Sequence, residues 1–379
     1  MASTDQVTLY VWPKLWDLPS FDPYCLTAIL FLQLALPGKF AIIECTDVDL
    51  SPSGQLPFLV HGQEVKTDLN SIVKYLSGLA TTEGGRYPHA NIDRHLSSLG
   101  RSQKNAWLSH TESNLGDLVA WAFYSQDNWE KSVHNAVAAL LPVPQRYFVP
   151  YKLRATYHPR LEAAGLWSHV ESPEKKSAFE KEMKLKPKTN KTAFQKVFEK
   201  EKTISKAKVV LDIYARLLEG KRYVYQDRVS SVDVAIAARI RLLVKPSYVD
   251  DTLKTLISVS YPQLVAHSDR VFEHAFGSNS SPLSYQPYIA PLFSRFSLWR
   301  PSIFRKAVAH NVERTEEERQ TARMRWLFLG LSIGSVFAYI GYVGGPYLMQ
   351  VWQTAKAIAA EQEAEEHRDG EEEEVLALP

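Results

Sequence analysis

Gly330-Leu331-Ser332-Ile333-Gly334 matches the GxSxG spacing with which hydrolases expose a nucleophilic serine. Acyl transfer needs that serine on a strand-to-helix elbow, whereas here it lies within an apolar helical run, so we read no hydrolase site. Gly330 and Gly334 fit better as small residues at GxxxG spacing, which permit close helix packing. The 11 histidines include no HExxH. His267 and His274 share a helix face but lack a carboxylate or cysteine set, and they read as surface histidines. No GxGxxG or Walker loop offers a phosphate cradle. Cys25 and Cys45 form neither a CxxC nor a metal-ligand pattern and suit a reducing compartment. No catalytic residue, cofactor or metal is expected.

At 379 residues the chain is long enough for two domains and additions. Val7 to Pro13 is rich in β-branched and aromatic residues and reads as a buried strand. Asp22 can cap the helix that follows, with Pro23 in its first position, and Pro37-Gly38 closes it. Phe40 to Cys45 is a second strand. Residues 58–61 and 64–66 flank a turn at Gly62 and form a hairpin. Asp68 to Leu79 forms the next helix, with Ile72, Val73, Leu76 and Leu79 inward. These elements make a small α/β domain at 1–84. Helical periodicity then takes over in an all-α domain at 85–277, with Leu96, Leu99, Trp107, Leu115, Leu118 and Val119 as its first apolar face. A lysine-rich insert at about 168–206 reads as a solvated helix or linker. Ser230 and Asp233 form a Ser-x-x-Asp start signal for a helix over 232–243, and a last core helix covers 261–276.

From Trp326 to Ala355 no residue is charged. Its most apolar part, 326–343, would rise about 27 Å as a helix, close to the ~30 Å hydrocarbon core of a bilayer. A transmembrane helix is expected over 326–347, including Trp326, Leu327, Gly330, Gly334, Gly341 and Tyr347. Arg319, Arg323 and Arg325 precede it and acids dominate after Lys356, which places the N-terminal bulk on the cytosolic side. The N-terminal residues carry neither a secretory nor a matrix-import pattern. A Pro/aromatic linker at 278–325 leads into the span, where Phe296, Trp299 and Arg300 suit a membrane interface or a partner groove. The acidic tail, 348–379, and the lysine-rich insert are solvated blocks of like charge, and neither points to nucleic acid.

Order and motifs together resemble the glutathione transferase fold, a thioredoxin-like domain joined to a helical bundle. Pro57 in Gly54-Gln55-Leu56-Pro57-Phe58-Leu59-Val60 stands where that fold has a cis proline, and Ser230-Ser231-Val232-Asp233-Val234-Ala235 resembles its helix-start box, which serves folding. The ligand residues depart from the pattern. Transferases carry Glu-Ser-x-Ala-Ile after the hairpin, whereas Asp68-Leu69-Asn70-Ser71-Ile72 stands here. Leu69 supplies no hydroxyl, and burying a carboxylate with one donor removed costs about 1 to 3 kcal/mol. For the activating residue the resemblance leaves Tyr10, Ser20 and Cys25, of which Cys25 reads as a structural cysteine on an apolar helix.

A transferase-like body with a degenerate glutathione site and a C-terminal span is similar to metaxin-type subunits of the mitochondrial sorting and assembly machinery (SAM), in their fungal form. The cues are Leu9-Tyr10-Val11-Trp12-Pro13, Gln55 to His61, Thr67 to Leu76, Ser230 to Ala235 and Tyr261 to His267. The resemblance implies a non-enzymatic, single-pass protein of the mitochondrial outer membrane, its bulk cytosolic and its tail in the intermembrane space. It further implies as partners a barrel-forming core subunit, a second transferase-like subunit, β-barrel precursors and the TOM translocase. The alternative is a tail-anchored glutathione-binding, transferase-like protein of the same membrane.

Overall fold

The computed structural model describes residues 6–82, 87–167, 189–278 and 280–287, together with 334, 335 and 339. The chain divides into two compact units, Met1–Ala290 and Pro291–Pro379, and the elements below belong to the first.

β1 (Val7–Val11) alternates buried and half-buried side chains, as a strand between a helical layer and a second face must. α1 (Pro23–Ala35) begins where Asp22 accepts from the backbone N–H groups of Tyr24 and Cys25 at 3.0 and 2.9 Å. It is apolar around its circumference, as a helix buried on all sides requires. β2 (Phe40–Glu44) returns parallel to β1, with Leu9 opposite Ile42. β3 (Phe58–His61) and β4 (Glu64–Lys66) form the hairpin, and Gly62, at φ 60°, supplies the left-handed turn conformation that side chains disfavour. β3 is antiparallel to β1, with Leu9 opposite Leu59. α2 (Leu69–Thr82) packs Ile72, Leu76 and Leu79 inward.

The sheet runs β4-β3-β1-β2-β5. Its fifth strand, β5 (Ser284–Gln286), lies parallel to β2 with Ile42 opposite Tyr285. The sequence assigns this stretch to an irregular linker because of its prolines. Pro282 and Pro287 instead flank a short edge strand, where missing N–H groups interrupt no ladder. Gln33 Nε2 donates to the Ser281 carbonyl at 2.6 Å and fixes the approach to that strand.

The helical part comprises α3 (Ser98–Tyr124), α4 (Gln126–Asn128), α5 (His134–Leu140), α6 (Val149–Ala163), α7 (Thr189–Leu217), α8 (Ser231–Val244), α9 (Thr252–Ser260) and α10 (Pro262–Phe276). Leu99, expected inward, is exposed on the first turn of α3. The second half of the lysine-rich insert is continuous with the core-facing stretch around Tyr214 in a single helix, α7.

α8 packs against α1, α3 and α10, and nearly every side chain on it is buried. Two buried carboxylates hold its start. Asp233 accepts from the Ser230 backbone N–H at 2.9 Å and the Ser230 hydroxyl at 2.6 Å, closing a capping box. Its other oxygen accepts from the Val224 N–H at 2.8 Å and from His267 Nε2 at 2.9 Å. Asp93, from the segment before α3, accepts from the N–H and hydroxyl of Ser231 at 2.9 and 2.7 Å and from Lys104 Nζ at 3.0 Å. His267 is thus fully buried, against the surface position expected of it: its carboxylate partner lies on another helix, 34 positions earlier in the chain.

Replacing Asp233 by Ala strands the Val224 N–H, the Ser230 N–H and His267, and is expected to cost about 4 kcal/mol in denaturant unfolding. Ser230→Ala, which removes only the hydroxyl, is expected to cost about 1 kcal/mol. Equal small losses for both would contradict this account of the helix start.

Candidate functional site

In a transferase-like body the reacting thiol would lie near the end of β1 and the start of α1, with the ligand carboxylate at the start of α2. The structure places Asp68 and Leu69 at that second position, where Asp68 and Ser71 bond to each other. Asp68 Oδ1 accepts from the Ser71 N–H at 3.0 Å, and Ser71 Oγ donates to the Asp68 carbonyl at 2.9 Å. Asp68 thus caps the start of α2, where the glutathione transferase pattern also has an acidic residue, and the departure from that pattern is Leu69. Leu69 packs against the hydrophobic core. The Leu56-Pro57 bond is cis, as is Val143-Pro144, which the sequence does not single out.

Two of the three residues considered for thiol activation have acidities shifted upward. Tyr10 stacks on Phe58 with ring centroids 4.3 Å apart, and burial, then Cys45, pushes its hydroxyl up rather than down. Cys25 is buried, and burial followed by the neighbouring Asp22 carboxylate pushes its thiol well above the ordinary value, against what a nucleophilic thiolate needs. Ser20 is buried and accepts from the Asp22 N–H at 3.4 Å. Among the described residues no group of three or more His, Cys, Asp or Glu could hold a metal ion.

What fills the junction between α1, α3, α6 and α8 is an ionic cluster centred on Glu112. Glu112 Oε1 accepts from Arg160 Nη1 at 2.6 Å and from the Tyr24 hydroxyl, while Oε2 accepts from Arg239 Nη2. Arg160 also donates to Asp117 at 2.7 Å and to the Glu112 carbonyl. Arg239 donates to the Ala235 carbonyl at 3.0 Å and to Thr27 at 3.4 Å. Gly116 makes room for this: a Cβ there would meet Arg160 Nη2 at 2.5 Å. The cavity between Tyr24, Glu112, Tyr124, Tyr157 and Arg160 has only about 10 Å³, space for one water at most. Burial and the Glu112 charge push the Tyr24 hydroxyl up to about 12, which keeps it a proton donor to the carboxylate.

A second concavity, about 790 Å³ and open to solvent, is lined by Arg94, Arg222, Arg228, Asp227 and three histidines, and presents no paired nucleophile and base. The cluster at Glu112 was not singled out in the sequence. Its visible signal is Arg239, one of three charged residues, with Asp233 and Arg241, in the otherwise apolar run Val232 to Leu243. The expected span at 326–347 and the candidates Phe296, Trp299 and Arg300 lie outside the described residues, except that Gly334, Ser335 and Tyr339 are helical. Among the described residues no helix is long and apolar enough to cross a membrane.

Two carboxylates at this junction titrate in opposite senses. Burial pushes Asp22 up from 3.8 to about 6, outweighing its bonds to Cys25 and Tyr24. The folded state binds that proton more tightly, so the contribution of Asp22 is complete below 3.8 and is lost as pH rises through about 6. Burial alone would raise Glu112, but Arg239, Tyr24 and Arg160 together hold it below 4.5. Its contribution is present above 4.5 and lost as pH falls through its folded value. Asp22→Asn is expected to flatten the fall in melting temperature between about pH 5 and about pH 7. Glu112→Gln, leaving two guanidiniums against an amide, is expected to cost about 2 to 3 kcal/mol, less than a fully buried pair because water reaches Glu112. A loss under about 1 kcal/mol would contradict the role given to Glu112.

A family model described as outer mitochondrial membrane transport complex protein, Tom37, matches residues 25–154. No curated protein sequence matches the chain. Among solved structures, a glutathione S-transferase of Ceriporiopsis subvermispora in complex with glutathione is 14% identical with a TM-score of 0.46, covering 72% of this chain and 98% of its own. The transferase GSTFuA3 of Phanerochaete chrysosporium is 14% identical with a TM-score of 0.42, covering 71% and 97%. Glutathione S-transferase III in apo form is 17% identical with a TM-score of 0.39, covering 73% and 98%. At such scores the transferase-like fold rests on this chain's own strand order, crossover and helical domain. Over residues 25–154 the chain is similar to the outer mitochondrial membrane transport complex proteins, in agreement with the metaxin-like resemblance carried by its sequence.

Proposed function

We propose that this chain is a non-enzymatic subunit of the mitochondrial outer-membrane machinery that sorts and assembles β-barrel proteins. The observation that carries the reading is the filled junction at Glu112, in a chain whose residues 25–154 match a family of outer mitochondrial membrane transport complex proteins. With Leu69 at the position of the ligand serine and the junction tied at Glu112, the transferase-like architecture serves as a rigid cap.

In this reading the uncharged stretch 326–347 spans the outer membrane once, with the transferase-like body in the cytosol and the acidic tail in the intermembrane space. The cap sits beside a barrel-forming core subunit and a second transferase-like subunit, and supports precursor insertion or release and contact with the TOM translocase. The physical task is protection of open strand edges, whose unpaired N–H and C=O groups are costly in lipid and prone to wrong pairing. Domain boundaries near 84, 277 and 325 accompany this proposal. The alternative, a glutathione-binding protein, meets Leu69 where the transferase pattern has a serine hydroxyl.

Affinity purification of the tagged full chain from gently solubilised mitochondria is expected to co-isolate a large β-barrel protein. Truncation after Arg325 should weaken that complex without abolishing it. Recovery of the chain free of any barrel protein, under conditions that preserve other outer-membrane complexes, would overturn the proposal.

A further inference from the structure

The turn between α5 and α6 is the most apolar exposed surface of the helical part. Val143, Tyr147, Phe148 and Tyr151 are 65%, 68%, 44% and 57% exposed within nine residues of chain. Arg146 and Lys152 sit among them, and neither has an acidic partner among the described residues. The surrounding sequence is biased in the same way. From Lys131 to Leu161 there is no aspartate or glutamate, in a chain that has 42 of them.

Three consecutive backbone N–H groups of the turn are paired within it. The N–H groups of Arg146, Tyr147 and Phe148 donate to the carbonyls of Pro142, Pro144 and Gln145 at 3.1, 3.2 and 3.1 Å. Pro142, Pro144 and Pro150 have no N–H to leave unpaired. A turn that keeps its own hydrogen bonds, projects tyrosine and phenylalanine, and carries basic side chains beside them has the composition that partitions into the headgroup region of a bilayer.

We propose that this turn is a second membrane contact: Tyr147, Phe148, Tyr151 and Val143 enter the interface of an anionic lipid surface, with Arg146 and Lys152 on its phosphates. An acidic protein partner would be read chiefly through paired charges. Here the apolar tips outnumber the two free cations, which favours lipid. The inference rests on the reading that the chain resides at a membrane, and it adds an orientation to that reading, because the contact fixes which end of the helical part faces the bilayer.

The test uses the full chain with Tyr147→Cys carrying an environment-sensitive fluorophore. The native cysteines, Cys25 and Cys45, are buried and spared. The reference is Val259→Cys on α9, a site 75% exposed. In vesicles of phosphatidylcholine with phosphatidylinositol, headgroup-level spin-labelled lipid should quench the probe at 147 and leave the probe at 259 unaffected. Neutralising both cations, as Arg146→Gln with Lys152→Gln, should weaken partitioning of the probe at 147 into the interface about thirtyfold, as expected from losing two basic residues near an anionic surface. Equal absence of quenching at both positions overturns the proposal, and so does equal quenching at both. Shielding of 147 that appears only when mitochondrial protein is added also overturns it, in favour of a protein partner. Flotation of the chain with the vesicles reports separately on the stretch 326–347, so loss of the contact and loss of the anchor are distinguished.

Discussion

The carboxylate of Glu112, held between two guanidiniums, is the interaction on which the remaining arrangement depends. It gathers Tyr24 from α1, Arg160 from α6 and Arg239 from α8 around one side chain of α3. Ion pairs taken out of water return little net stability, because desolvation offsets most of the attraction, yet removing one member is costly. Such a cluster therefore does less to stabilise the fold than to fix its geometry. The cluster ties α1 of the transferase-like part to α3, α6 and α8 of the helical part.

The same logic recurs at α8. Asp233 and Asp93 are both buried, and each spends its oxygens on backbone N–H groups, a hydroxyl and a basic side chain. Through them the central helix is tied to the turn at Val224, to α10 by His267 and to α3 by Lys104. Charges inside this protein are spent on joints, and the cysteine and tyrosine that could have served chemistry have acidities shifted the wrong way for it. In the role proposed for it, a cap needs a surface that resists deformation, and buried, paired carboxylates supply that.

Much of this fold is legible in the sequence because its signals are local. Asp22-Pro23 fixes the start of α1, the hairpin follows from β-rich runs around Gly62, and the Ser230-Asp233 spacing marks α8. What is not legible depends on distant partners. Glu112 and Arg239 are 127 positions apart, so neither residue's neighbourhood reveals the pair. His267 looks like a surface residue until Asp233 is placed beside it. β5 was hidden for a different reason: it is three residues long, lies between prolines and pairs with a strand more than 240 positions earlier, so it has no periodicity of its own.

The central claim is that the glutathione site is degenerate at Leu69. Calorimetric titration of the full chain with glutathione tests it most directly. The account predicts no saturable heat into the millimolar range, because Leu69 offers no hydroxyl to a ligand carboxylate at the start of α2. Stoichiometric binding at micromolar glutathione would contradict it.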